Sequence, residues 1–135
     1  MRSLWIGYMR GRLREGVETR SAVNVDALNV SAWRASGLLR AMGNPHRLMI
    51  LSQLIKAERS VGELERVVGL SQSALSQHLA RLRRDRLVKT RRSAQTIFYS
   101  LAGNEAEMVL STLYQLYCGE NAPASTRQDH SQARV

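Results

Sequence analysis

The chain has 135 residues, of which 44% are hydrophobic, and it carries a formal net charge of +9. This length is enough to bury one core but hardly two, so we expect a single domain, and so positive a charge favours a polyanionic partner. The one cysteine, Cys118, excludes an intrachain disulfide and a zinc site built from several cysteines. The absence of an apolar stretch as long as a membrane span, and of a secretory signal, predicts a cytoplasmic protein with no membrane partner.

The first part of the chain predicts an extension followed by two helices. Residues 1–30 contain five arginines and no sustained periodicity, so we expect a flexible basic extension, although a start codon assigned too far upstream would give the same pattern. A helix is predicted over Ala32–Met42, followed by the helix-breaking segment Gly-Asn-Pro. The next helix runs from Pro45 to about Ala57, and its apolar stripe contains one hydroxyl: Leu48, Leu51, Ser52 and Ile55.

The middle of the chain predicts a helix-turn-helix followed by a β-hairpin. Ser60 and Glu63 form the capping-box pattern of a short helix, and Ser71 caps the next one, SQSALSQHLARLRRDR. Two strand-prone stretches, Leu87–Arg91 and Gln95–Leu101, follow with a tight polar turn between them.

The end of the chain predicts one more helix, from about Asn104 to Tyr117, and then a disordered tail over residues 121–135. Together these elements predict a mainly α fold with a small β-hairpin. We expect a winged helix-turn-helix domain over residues 31–120.

Positive charge is concentrated at the end of the second helix of the helix-turn-helix and in the hairpin. The segment from Arg81 to Arg92 contains seven basic residues and a single acidic one, Asp85. In isolation such a run is typical of a solvated helix face. After a helix-turn-helix it predicts contact with double-stranded DNA.

The second helix of the helix-turn-helix has two opposite faces. Leu75, Leu79 and Leu82 form a narrow core stripe, and small polar residues on the other face are able to enter a major groove and pair with base edges. The predicted base-reading residues are Gln72, Ser73, Ser76 and Gln77. The predicted contacts to the DNA backbone are His78, Arg81, Arg84, Lys89, Arg91, Arg92 and Gln95.

The terminal helices lie outside this reading unit, and both are apolar. Because one small helix-turn-helix buries little DNA surface, we expect a homodimer through the terminal helices, bound to a palindromic operator. Two alternatives stay open: the terminal helices only complete the monomer core, or the winged helix serves protein–protein assembly and shows little salt-dependent binding to DNA. No nucleophile–base pair, metal cluster or phosphate loop supports an enzyme.

Four motifs between Leu38 and Glu120 carry a resemblance to a known family: NPHRLMIL, SVGELE, GLSQSALSQHLARLR and TIFYSL. On these residues the chain resembles the ArsR/SmtB family of winged-helix repressors, and within it the sulfide- and redox-responsive branch. The resemblance implies a homodimer that binds operator palindromes and that a small signal releases.

The metal ligands of the wider family have no counterpart in this chain. The resemblance places them as cysteines in the helix matching Val61–Val68, or as aspartate and histidine in the last helix. The first segment has no thiol and the second no histidine, and Glu105 and Glu107 are more typical of residues that stabilise a helix N-terminus. We therefore expect no metal and no cofactor.

The responsive branch carries two cysteines that oxidation joins through a disulfide or polysulfide bridge. Cys118 matches one of them, and Ser52 stands where the resemblance places the other. Ser52 is either an engineered Cys-to-Ser change or a natural residue of a protein whose switch is lost or altered. The resemblance implies a persulfide or an oxidant as inducer, and a repressor or anti-silencer with no thiol switch is the alternative. We expect the Ser52 hydroxyl to bond the carbonyl four residues earlier.

Arg86 stands where members of the family usually have glycine, between the recognition helix and the first wing strand. A left-handed backbone at this position would cost about 1 kcal/mol for a residue other than glycine.

Overall fold

The structure is a computed structural model, and it describes residues 23–119. In this part of the chain five helices and three strands follow one another. The helices are α1 (Val25–Met42), α2 (Pro45–Lys56), α3 (Val61–Val68), α4 (Gln72–Arg84) and α5 (Glu105–Tyr117). The strands are β1 (Arg59–Ser60), β2 (Val88–Ser93) and β3 (Thr96–Leu101). This order confirms the mainly α winged helix-turn-helix that the sequence predicts.

Side chains at the helix termini explain where the helices begin and end. The Asn44 side chain accepts hydrogen bonds from two backbone amides at the start of α2, where Pro45 occupies the first turn. Ser60 and Glu63 form the predicted capping box of α3. Gly69 then ends α3 with a φ of 72°, a left-handed conformation that glycine adopts without a steric penalty.

Helix α1 is longer than predicted, since it begins at Val25 rather than at Ala32. Residues 25–30 of the expected extension are therefore helical, while residues 1–22 and the predicted tail lie outside the described residues. Only Ala41 and Met42 of this helix are buried in the protomer. The N-terminal part of α1 contributes no buried residue to the protomer core, so no core-facing pattern marks where this helix begins. No helix within residues 23–119 combines the length and the apolar character needed to cross a bilayer.

The sheet has three antiparallel strands in the order β1-β3-β2, one more strand than the predicted hairpin. Strand β1 pairs Arg59 with Tyr99 and Ser60 with Phe98. Two residues are too few for an alternating pattern, so the sequence carries no signal for this strand. The turn between β2 and β3 is short, and its first residue, Ala94, has a φ of 54°.

The core lies between α2, α3, α4, α5 and the sheet. On α2 the buried residues are Ile50, Leu51 and Leu54, so the stripe predicted for this helix is only partly right. Leu48 and Ile55 are half-buried and pack at the edge of the core, because α2 contacts α3, α4, α5 and β3 and is covered on more than one side. The remaining buried side chains are Leu64, Val68, Leu75, Leu79, Leu82, Leu87, Val88, Ala106 and Leu110.

Candidate nucleic-acid interface

Helix α4 presents one apolar face to the core and one polar face to solvent. Leu75, Leu79 and Leu82 are at most 1% exposed, which confirms the predicted core stripe. The Ser71 side chain accepts a hydrogen bond from the Ala74 amide at 3.3 Å and caps the helix. Packing on one side and capping at the start fix the direction in which the opposite face points.

The predicted base-reading residues lie together in the first two turns of α4. Gln72, Ser73, Ser76 and Gln77 are all exposed. Their hydroxyl and amide groups both donate and accept hydrogen bonds. These side chains are short enough to let the helix approach the major groove of DNA closely. This arrangement has the chemistry required to read base edges.

His78 occupies a different environment from its neighbours on α4. It is half-buried, and its ring centre lies 5.7 Å from that of His46 at the start of α2, with the rings tilted by 39°. Burial lowers the pKa of His78, and the charges of Arg47 and His46 lower it further. A neutral imidazole is a weaker phosphate ligand than a cation, so His78 resembles a packing residue between α4 and α2.

The arginines at the end of α4 differ in their exposure and in their distance from Asp85. Arg81 donates from Nε to Asp85 Oδ2 at 2.6 Å, one helical turn away. The Arg84 side chain is 68% exposed and lies 3.7 Å from the other oxygen of Asp85. A phosphate would have to displace Asp85 to engage Arg81 fully, whereas Arg84 is available at the surface.

Arg86 follows the end of α4 in the left-handed conformation, with a φ of 59°. Its amide donates to the Arg83 carbonyl at 3.0 Å, and the Leu87 amide donates to the Leu82 carbonyl at 2.9 Å. These two bonds, with Leu82 and Leu87 both buried, form a Schellman motif whose left-handed position usually belongs to glycine. The backbone at Arg86 is thus left-handed, the case in which a residue other than glycine costs about 1 kcal/mol.

The cations of the wing divide between the two faces of the hairpin. Side chains alternate along a strand, so Ile97 and Tyr99 lie on the same face of β3. Arg92 is paired with Ile97 and therefore lies on that face too. Tyr99 lines a groove together with residues of α4, so this face looks toward the recognition helix. Lys89 and Arg91 lie on the other face, although both are exposed.

Arg91 is engaged within the protomer by Glu58, a residue that sequence reasoning missed. Arg91 donates to the Glu58 carboxylate from Nε at 3.2 Å and from a terminal nitrogen at 2.5 Å. Its guanidinium carbon lies 4.8 Å from the centre of the Phe98 ring. The hydrogen bond from Arg91 lowers the pKa of Glu58, and the same bond raises the pKa of Arg91. The pair ties the wing to the segment before β1.

The tip of the wing carries the remaining predicted contacts. Arg92 is exposed and donates from Nε to the Ala94 carbonyl at 3.1 Å, and Gln95 is exposed in the turn. Lys89, nearer the base of the wing, has no ion pair with any described residue, although its charge contributes to the low pKa of Glu58. Arg92 and Gln95 therefore offer donors at the point of the hairpin farthest from the core.

The two positions of the implied thiol switch lie on helices that pack against each other. Cys118 is exposed at the C-terminal end of α5, and Ser52 is half-buried on α2. The Ser52 hydroxyl donates to the Met49 carbonyl at 2.7 Å, three residues earlier rather than the four expected. Its hydrogen-bonding capacity is satisfied within its own helix, which explains how a hydroxyl is tolerated there. Among the described residues no cluster of three or more His, Cys, Asp or Glu forms a metal site.

Comparison with known proteins gives the family. Residues 44–90 match the model of the arsR family of bacterial regulatory proteins. The chain is 50% identical to the transcriptional activator HlyU of Vibrio cholerae over 99 residues, which are 73% of this chain and 92% of that protein. These matches are consistent with the branch that the sequence resembles.

Two solved structures show the same fold. The transcriptional repressor BigR from Xylella fastidiosa superposes with a TM-score of 0.69 at 36% identity, covering 71% of this chain and 98% of that one. The homodimeric winged helix-turn-helix DNA-binding domain of Mb0332 from Mycobacterium bovis superposes with a TM-score of 0.56 at 25% identity, covering 68% and 85%. The chain therefore belongs to the arsR family of bacterial regulatory proteins and is a DNA-binding transcriptional regulator rather than an enzyme.

Proposed function

We propose that this protein is a homodimeric repressor that reads a palindromic operator with α4 and grips the flanking backbone with the wing. The observation that carries the proposal is the division of α4 into a buried leucine face and an exposed face of small polar residues. Gln77 has a planar amide suited to adenine, and Ser73 and Ser76 are able to bond either kind of base pair.

The backbone contacts follow from which donors are exposed at the surface. Arg84, Lys89, Arg92 and Gln95 are exposed donors, and we propose that they bind phosphates. Arg81 and Arg91 bind a phosphate only by exchanging their carboxylate partners, and burial lowers the pKa of His78, which weakens it as a phosphate ligand.

The homodimer is supported by apolar residues left exposed on both terminal helices. Val25, Leu28 and Leu39 fall on one stripe of α1, and they are 61%, 49% and 59% exposed. On α5, Met108 and Leu116 are 64% and 53% exposed. An 18-residue helix with only its last residues packed is unstable alone, and a second copy offers the apolar cover that it lacks. A two-fold dimer requires two half-sites, hence a palindrome.

The dimer is tested by placing a charge on each stripe. Leu28→Asp and Met108→Asp should halve the mass measured by sedimentation equilibrium, because a buried unpaired carboxylate is costly at an interface. Val67→Asp is the matched control, since Val67 is 48% exposed on α3, outside the terminal helices. If all three variants remain dimers, the assembly does not use these helices.

Base reading is tested by separating specific from general binding. Gln77→Ala should weaken operator binding by about 1–3 kcal/mol and relax sequence preference, whereas Arg92→Ala should weaken binding to all duplexes alike. Gln53→Ala on α2 removes a similar amide outside α4 and serves as the control. The operator is first selected from random duplexes. If Gln77→Ala binds it as tightly and as selectively as the parent, the reading face is assigned wrongly.

For regulation, we propose that Cys118 is the group on which a persulfide or an oxidant acts. Its support is the exposed thiol at the end of α5 and the resemblance to the two-thiol branch. With Ser52 in α2 this chain has no second thiol, so its response is that of a single modified cysteine with little leverage on the fold.

The switch is tested by operator titrations with and without an organic persulfide. Ser52→Cys should release DNA after treatment, the parent should respond weakly, and Cys118→Ser should not respond. A Ser52→Cys protein that stays bound after treatment would rule out the two-thiol mechanism, and an unchanged parent would indicate a regulator with no thiol switch.

A further inference from the structure

We infer that the groove between α4 and β3 binds one phosphate of the DNA backbone, with Arg83 and Tyr99 as its ligands. The inference deepens the proposed function, since it names where one strand of the operator crosses the protein. Neither residue is among the contacts predicted from the sequence.

The groove has a volume of about 480 Å³ and opens along the exposed side of α4. Leu79 and Val61 form its apolar floor, and Ser76 lines it next to the base-reading residues. Ala80 is small, so a sugar-phosphate chain is able to approach the helix closely at this point. The groove therefore begins where the base contacts end.

Two polar groups of the groove, the Arg83 guanidinium and the Tyr99 hydroxyl, have no partner among residues 23–119. Arg83 is exposed and makes no side-chain hydrogen bond or ion pair within residues 23–119, in contrast to Arg81 and Arg84, which lie 2.6 and 3.7 Å from Asp85. The Tyr99 hydroxyl likewise has no hydrogen-bond partner in the described part of the chain, although its ring packs against the core. A guanidinium and a hydroxyl donor in one groove suit a phosphate oxygen.

The charge of the groove favours an anion held next to a duplex. Arg83 and Arg84 both line it, and no carboxylate from residues 23–119 does. A recognition helix in the major groove has one sugar-phosphate strand on each side. With α4 in the groove and the wing beside it, one of these strands passes between α4 and β3. We therefore assign the site to a phosphodiester of the operator rather than to free phosphate.

The salt dependence of binding gives the test. Arg83→Ala should make the slope of log K against log salt less negative by about 1.8, which is 0.9 for one lost phosphate contact in each of two protomers. Tyr99→Phe should weaken binding up to about a hundredfold, or tenfold for each of the two protomers, with an unchanged slope, because it removes a hydrogen bond but no charge. Arg40→Ala, on α1, removes an exposed cation away from the groove and should leave the slope as it is.

Three results would overturn the inference. The first is an Arg83→Ala variant whose salt slope equals that of the parent. The second is a Tyr99→Phe variant whose affinity for DNA equals that of the parent. The third is that millimolar inorganic phosphate, added at constant ionic strength, competes DNA off the protein, because this result marks a site for free phosphate. Failure of the proposed function looks different. In that case the parent itself shows no salt-dependent, sequence-selective binding, and Gln77→Ala changes nothing.

Discussion

Arg86→Gly should stabilise the protein. Arg86 occupies the left-handed position of the Schellman motif that ends α4, with a φ of 59°. Glycine adopts this conformation without a clash between Cβ and the backbone, so the substitution relieves strain while both hydrogen bonds of the motif remain.

The magnitude follows from two opposing effects. A left-handed residue other than glycine costs about 1–2 kcal/mol, and glycine costs about 0.5–1 kcal/mol more to order than a residue with a side chain. The net gain in the free energy of unfolding is about 0.5–1 kcal/mol for each protomer. For a domain of this size such a gain raises Tm by about 2–8 °C.

The assay is urea unfolding at one fixed protein concentration, because the stability of a dimer depends on concentration. Arg86→Ala is the control, since it loses the charge and keeps the strain, so it should show the stability of the parent. An Arg86→Gly protein no more stable than Arg86→Ala would refute the strain argument.

Three further outcomes follow from the structure. The Kd for DNA should rise between 50 and 200 mM salt about twelvefold less for Arg92→Ala than for the parent, because the dimer loses two phosphate contacts. Arg91→Ala should change this rise much less, since Glu58 already holds Arg91. Equal effects of the two variants would contradict a role of the ion pair. Because the folded-state pKa of His78 lies below its ordinary value of 6.5, the unfolded chain takes up the proton first. The free energy of unfolding should therefore fall as the pH drops below about 6.5. If a His78→Asn variant shows the same fall, the pH dependence comes from another group. Leu75→Ala should cost about 2–5 kcal/mol in urea unfolding, against less than about 1 kcal/mol for the exposed Val67→Ala.

The amino-acid sequence by itself determined the elements whose signals are local. The capping box of Ser60 and Glu63, the leucine stripe of α4 and the strand-prone wing each depend on residues close in the chain, and all three are present in the structure. At Arg86 the resemblance to a family that usually has glycine there pointed to a left-handed backbone, and the structure has a φ of 59° at this residue. These signals are enough to give the fold and the face of α4 that points outward.

Only the tertiary structure decided which of the many cations are free. Arg91 is held by Glu58, 33 residues earlier, and this contact exists because β1 adds to the edge of the sheet. Tyr99 of β3 and Arg83 of α4 line one groove, which no spacing along the chain reveals. Periodicity encodes which face of an element is buried, but the partner of an exposed charge depends on elements distant in sequence, and folding alone brings them together.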